Sequence, residues 1–77
     1  MTPRKSAEAS PLTVDTRGMR CPWPVLRAAR AMRESDHVVL LADDPIALKD
    51  VPDMARARGW QCNLAQDEVT ATFTLKK

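Results

Sequence analysis

The chain lacks most of what a small protein uses to staple itself together or to build a conventional catalytic centre. It has no tyrosine, one phenylalanine, two tryptophans, one histidine and two cysteines. Two cysteines do not make a disulfide framework, and no Cys-x-x-Cys pair offers dithiol exchange. A single histidine beside them does not complete a zinc-type ligand set, so neither a metal nor an organic cofactor is expected. The scarcity of aromatic side chains leaves few platforms for stacked bases, which argues against direct nucleic-acid binding. Charge agrees: 12 basic against 10 acidic residues give a formal net charge of +2, too mild to imply nucleic acid or a membrane surface. No apolar run approaches transmembrane length. The opening MTPRKSAEAS is polar, without the apolar stretch of a signal peptide. These absences predict a soluble cytoplasmic protein with reduced thiols. With 77 residues the chain has length for one domain and a modest core. Any chemistry must therefore sit near the surface, on one or two side chains.

What is present has a readable order. Residues 1–10 show no hydrophobic period and predict a disordered tail, leaving residues 11–77 as a single domain. PLTVDT, with Leu12 and Val14 alternating against Thr13 and Asp15, predicts a strand with one buried face. Arg17 and Gly18 turn the chain. From Pro22 to Met32 or Arg33 the period becomes helical: Val25, Ala28, Ala29 and Met32 gather on one side, Arg27, Arg30 and Arg33 on the other. VVLLAD, from Val38, is short and apolar and predicts a buried central strand. In DPIALKDVPDMARARG, Asp44 suits an N-cap and Pro45 a first helical position, and Pro52 predicts either a break or one kinked helix, stopped by Gly59. WQCNLAQ places Trp60, Cys62 and Leu64 on one face; VTATFTLKK places Val69, Ala71, Phe73 and Leu75 inside. The two make a hairpin. The order β-α-β-α-β-β predicts an α+β fold: a two-layer α/β sandwich with a mixed four-stranded sheet and both helices on one face.

The chemistry-bearing stretch is GMRCPWPVL, from Gly18. If Pro22 takes the first helical position, Cys21 is the N-cap, where unpaired N–H groups and the positive end of the helix dipole favour a thiolate. Arg20 adjoins the cysteine and Arg17 is a candidate neighbour. The expectation is a thiol below its ordinary pKa, with a substantial thiolate fraction at neutral pH. Gly18 gives the turn its backbone freedom, and Pro22 and Pro24 stiffen it. The plainer reading is that Cys21 only caps a helix, although Ser, Thr, Asp or Asn would cap better. His37, just before the central strand, is not placed as a general base. A Cys-His hydrolase is therefore not expected, and what remains is one thiolate that carries a group.

These residues resemble a known family. RGMRCPWPVL resembles the Cys-Pro-x-Pro signature of the TusA-like (SirA/YedF) sulfur carriers, and ADDPIALKDVP resembles that family's second signature; the resemblance spans about Leu12 to Leu75. It implies the same β-α-β-α-β-β fold and a persulfide on Cys21. Sulfur would come from a cysteine desulfurase or a rhodanese-like donor. It would go to an acceptor protein in tRNA thiolation, molybdenum-cofactor maturation or sulfur oxidation; some relatives are linked to selenium. The expected function is thus a sulfur carrier, or sulfurtransferase component, with Cys21 as its nucleophile. The competing reading is a regulatory or nucleic-acid-binding or protein-binding module in which Cys21 is a cap. Trp23, between the two prolines, is a candidate partner contact, as are Asp44, Lys49 and Asp50. Arg27, Arg30 and Arg33, with Arg56 and Arg58, read as solvated surface or as a docking face for an acidic protein. Cys62 reads as a buried structural thiol, with a resolving role for Cys21 as the alternative. Contacts with donor and acceptor in turn suit a monomer.

Overall fold

The computed structural model describes residues 11–77; the expected tail, residues 1–10, lies outside the described residues. Six elements follow in the anticipated order: β1 (Leu12–Asp15), α1 (Trp23–Glu34), β2 (His37–Ala42), α2 (Ala47–Arg58), β3 (Gln61–Gln66) and β4 (Ala71–Lys76). The sheet order is β1-β2-β4-β3. β1 runs parallel to β2, and β4 lies antiparallel to both β2 and β3. α2 thus carries the chain past an open slot that β4 later fills. The fold is α+β, a four-stranded mixed sheet with two helices.

The core lies between sheet and helices. Val38, Leu40 and Ala42 of β2 stand directly opposite Leu75, Phe73 and Ala71 of β4, and all six are buried. The helices meet them with small residues, Ala28 and Ala31 on α1 and Ala47 and Ala55 on α2, together with Met32 and Val51. Small side chains let each helix axis approach closely, while Phe73 and Met32 fill the remaining volume. Val39, Leu41, Thr72 and Thr74 point the other way and are only half-buried.

The edge strands depart from expectation. Leu12 and Leu64 share the core side of the pattern, yet they are 38% and 45% exposed. Two helices cover the middle of a four-stranded sheet, so the outer strands are left partly uncovered. Val69 was expected inside and is instead exposed, because β4 begins only at Ala71. Val69 sits in the hairpin turn, where the Asp67 carboxylate accepts the N–H groups of Val69 and Thr70 at 2.9 and 2.7 Å.

α2 settles the alternative left open at Pro52. It is one helix, with Pro52 inside it. Its entry is a tight turn in which the N–H groups of Ala47, Leu48 and Lys49 bond the carbonyls of Asp44, Pro45 and Ile46 at 3.0–3.1 Å. Asp44 caps that turn rather than the helix proper, accepting the Ile46 N–H at 3.0 Å. Gly59 ends the helix in a left-handed conformation, φ +77°. The Trp60 N–H reaches back to the Ala55 carbonyl and the Gly59 N–H to that of Arg56, the reciprocal pair of a Schellman stop.

Candidate functional site

Cys21 lies in the connection between β1 and α1, at the end of the sheet where the parallel strands finish. Thr16 anchors this connection. It is fully buried, and both its N–H (2.8 Å) and its Oγ1 (2.6 Å) donate to the Leu41 carbonyl. The chain then turns through Gly18, which has φ +87°, a left-handed value that costs glycine little. Two adjacent carboxylates at the end of β2 clamp the loop. Asp43 accepts the Gly18 N–H on both oxygens, at 2.9 and 3.1 Å. The Oδ2 of Asp44 accepts the Cys21 N–H at 2.7 Å. Sequence reasoning weighed Asp43 as a partner-selecting acid or a strand terminator and did not place it against the Gly18 turn; the signal was a pair of acids directly after an apolar strand.

The expected cap geometry needs correction. The Cys21–Pro22 peptide is cis, Pro22 stands at the cap position, and α1 begins at Trp23 with Pro24 in its first turn. Cys21 is one residue further out than an N-cap. Most of the first-turn N–H groups assumed to face its sulfur are absent or used. Pro22 and Pro24 have none, that of Trp23 bonds the Arg20 carbonyl at 2.9 Å, and that of Cys21 belongs to Asp44.

The electrostatics also reverse the expectation. The Cys21 thiol is pushed up from its ordinary value, first by burial, then by the negative charges of Asp44 and Asp50. The backbone N–H groups of Cys21 and Ile46 hold the Asp44 carboxyl below its usual range, and Arg20, expected to favour the Cys21 anion, adds to that in a smaller way. Arg17 is engaged elsewhere, in a 2.8 Å ion pair with Asp15. The resting group is therefore a thiol whose ionisation two carboxylates oppose.

The remaining candidates divide. Asp44 accepts the Cys21 N–H, and the charge of Asp50 acts on its thiol. Lys49 does not share their arrangement: its Nζ pairs with Asp53 at 2.7 Å on the exposed flank of α2. Trp23 is 58% exposed, with Leu26 at 52% one turn along and Ile46 at 57% at the start of the α2 turn. An apolar fringe thus surrounds the thiol end. Pro24 is buried and seats the first turn on the core. Arg58 stacks over Trp60, 5.5 Å from the ring centroid, at the far end of α2.

Cys62 is half-buried against the core, and burial raises its thiol. It pairs with Leu75, on the outermost strand opposite β1. That row lies four strand residues, about 13 Å, below the end that carries Cys21. A disulfide needs Cα atoms about 4–7 Å apart, so the resolving role does not fit. His37 opens β2 at the same distant end.

At the same end of the sheet, a cavity of about 170 Å³ opens between the β2–α2 connection and the β3–β4 turn, with Asp43, Asp44, Asp67 and Glu68 in its wall. Asp44 belongs both to this wall and to the Cys21 clamp. Among the described residues no group of His, Cys, Asp and Glu side chains is arranged to hold a metal ion, and no helix is long and apolar enough to cross a membrane.

The family described as Sulfurtransferase TusA matches residues 12–77. The chain belongs to the TusA family. A protein of Archaeoglobus fulgidus named as a sulfur carrier is 45% identical over 49 residues, which make up 60% of this chain and 64% of that protein. The chain thus spans less than two thirds of that relative's length. The crystal structure of a SirA-like protein from Desulfitobacterium hafniense superposes with a TM-score of 0.77 at 30% identity, covering 84% of this chain and 95% of that one. The TusA-like resemblance read from the two signatures is therefore borne out, as is the α+β fold.

Proposed function

We propose that this protein is a sulfur carrier that accepts sulfur as a persulfide on Cys21 and passes it to an acceptor protein. The observation that carries the reading is the placement of Cys21. In a TusA-family chain, the half-exposed thiol stands on a loop pinned at Thr16, Gly18 and Cys21 itself. No second thiol and no histidine accompany it. The transfer follows from the chemistry of such a thiol. The sulfur of Cys21, as thiolate, attacks the terminal sulfur of a donor persulfide. A new S–S bond forms, the donor's S–S bond breaks, and the donor leaves as its thiolate. The second transfer reverses these roles toward the acceptor thiolate.

The apolar fringe of Trp23, Leu26 and Ile46 supplies the contact with donor and acceptor, since exposed aromatic and aliphatic side chains anchor interfaces. Asp44 and Asp50 contribute through the thiol rather than as outward contacts, and Lys49 stands beyond them. Residues 11–77 form the working domain in this reading, contacts are transient, and the protein acts in the cytoplasm. Either a cysteine desulfurase or a rhodanese-like protein suits as donor.

Transfer of ³⁵S from a labelled cysteine desulfurase tests the reading. Label is expected on the protein and absent from Cys21→Ser, whose hydroxyl cannot hold a sulfane sulfur. Equal labelling of Cys21→Ser would remove Cys21 from the mechanism.

A further inference from the structure

The two edges of the sheet are built differently. β1 carries the guards of a solvent-facing edge: it is short, follows Pro11, and holds Asp15 in an ion pair with Arg17. β3 carries none of them. Its residues, QCNLAQ, include no charge and no proline, and all but Cys62 are exposed. They pair with β4 in unbroken register, without a bulge. Hydrogen bonds at the two ends of β4 show which backbone groups of β3 are open. The Lys77 N–H bonds the Asp36 carbonyl at 3.0 Å, so Ala71, Phe73 and Leu75 turn to β2. The Asp67 N–H bonds the Thr70 carbonyl, also at 3.0 Å. Bonded and unbonded pairs alternate along an antiparallel ladder, so Gln61, Asn63 and Ala65 turn their N–H and C=O groups to β4. Cys62, Leu64 and Gln66 turn theirs outward, where no loop or side chain of the described residues bonds them.

We propose that β3 pairs antiparallel with β3 of a second copy of this chain, joining two sheets into one across a two-fold axis through Leu64. An axis perpendicular to the sheet keeps both helix layers on one side, and it brings residues of the same face together. Centring on Leu64 uses the whole free edge. Cys62 meets Gln66 of the second copy, Leu64 meets Leu64, and Gln66 meets Cys62, each pair exchanging both of its N–H···O bonds. Centring on Asn63 would instead carry Gln66 past the end of β3, to Trp60 of the second copy. The Leu64 axis also sets the two Leu64 side chains, 45% exposed in the single chain, against each other. Charge selects the same orientation. The acidic turn of one copy, Asp67 and Glu68, falls opposite Gln61 and Trp60 of the second. Beside them is Arg58 of that copy, whose guanidinium lies 5.5 Å from the Trp60 ring centroid. Among the described residues neither Glu68 nor Arg58 is in an ion pair, and the two-fold makes this contact twice. Parallel pairing would set acidic turn against acidic turn. The Cys21 loop lies at the opposite edge, with β1, so each copy keeps its thiol accessible. One six-residue edge is small beside the roughly 800 Å² per partner of a standard interface, so the dimer forms and parts rather than being obligate.

Amide hydrogen exchange of the full chain, followed from micromolar to millimolar concentration, reads the pairing residue by residue. Asn63 and Ala65 should be protected throughout, because they bond β4. Cys62, Leu64 and Gln66 should exchange fast when dilute and slow as the dimer fraction measured by sedimentation equilibrium rises. Leu64→Pro removes an outward N–H and leaves the β4 ladder untouched. It should weaken self-association by about ten-fold or more, the scale of losing the central bonds. Protection of Asn63 and Ala65 checks its fold, and Leu64→Lys, which sets two like charges at the axis, tests the same edge if Leu64→Pro unfolds. Glu68→Arg and Arg58→Glu should each weaken the dimer, and the two together in one chain should restore it. A chain that stays monomeric at millimolar concentration overturns the proposal. So does a dimer in which the Cys62, Leu64 and Gln66 amides still exchange fast, or one that the paired charge reversal does not restore. None of these outcomes bears on sulfur uptake by Cys21, which the pairing leaves free.

Discussion

At the scale of single residues, the sequence singled out Cys21 and misled about its ionisation. Cys21 stood out because it lay at an element boundary between an arginine and a proline, and the structure places it on a pinned loop at the end of the sheet. Its ionisation was illegible, since it depends on residues more than 20 positions away in sequence. Asp44 and Asp50 bear on the thiol through their charge only because the β2–α2 connection folds beside the β1–α1 loop. Adjacent Arg20, the obvious guess, acts on Asp44 instead. Asp44 yields a test. Its folded pKa lies below the ordinary 3.8 because two backbone N–H groups bond its charged form. A carboxyl depressed on folding contributes stability above its unfolded pKa and loses it as pH falls through the folded one. The Cys21 amide signal should therefore hold its position as pH falls to 3.8 and move only below it. A midpoint at or above that value would mean the clamp is absent in solution. The Asp15–Arg17 pair follows the same sign, with Asp15 held down at about 2.

At the scale of elements, periodicity succeeded where an element is buried on one face and failed at margins. The alternation of Ala71, Phe73 and Leu75 and the helical spacing of Ala28 and Met32 read correctly, because burial imposes those periods. Leu12, Leu64 and Val69 did not, because pattern alone does not say where the covering helices stop or where a turn begins. Pro52 left α2 undecided, and the buried Val51 and Ala55 on either side show why one helix results: packing on the core holds the segment together despite the missing N–H. The stop at Gly59 was legible from residue type and carries a clear prediction. Gly59→Ala keeps the space, as nothing lies within 4 Å of an added Cβ, but forces a side chain into the left-handed region. The cost should be about 1 kcal/mol, seen as a fall of several degrees in Tm. An unchanged Tm would mean that α2 ends by another route.

At the scale of the whole molecule, charge is divided along the long direction of the strands. Asp43, Asp44, Asp50, Asp67 and Glu68 cluster at the thiol end and outnumber Arg17 and Arg20 there, whereas Arg33, Arg56, Arg58, Lys76 and Lys77 lie toward the other and outnumber Glu34 and Asp36. A net charge near zero conceals this polarity, so composition alone pointed away from electrostatic recognition. In the proposed reading the acidic end leads toward a basic partner surface, and Trp23 and Ile46 then dock. Association with a cysteine desulfurase should slow as salt rises from low to physiological strength, with slowed dissociation lost in Trp23→Ala. Salt-independent association, or an unchanged dissociation rate in Trp23→Ala, would contradict that orientation. The central claim, that Cys21 carries sulfur, is tested most directly by intact mass spectrometry after incubation with a cysteine desulfurase and cysteine. The account predicts a gain of one sulfur atom that survives Cys62→Ala and disappears in Cys21→Ala. A gain that persists in Cys21→Ala, or that vanishes with Cys62→Ala alone, would contradict it.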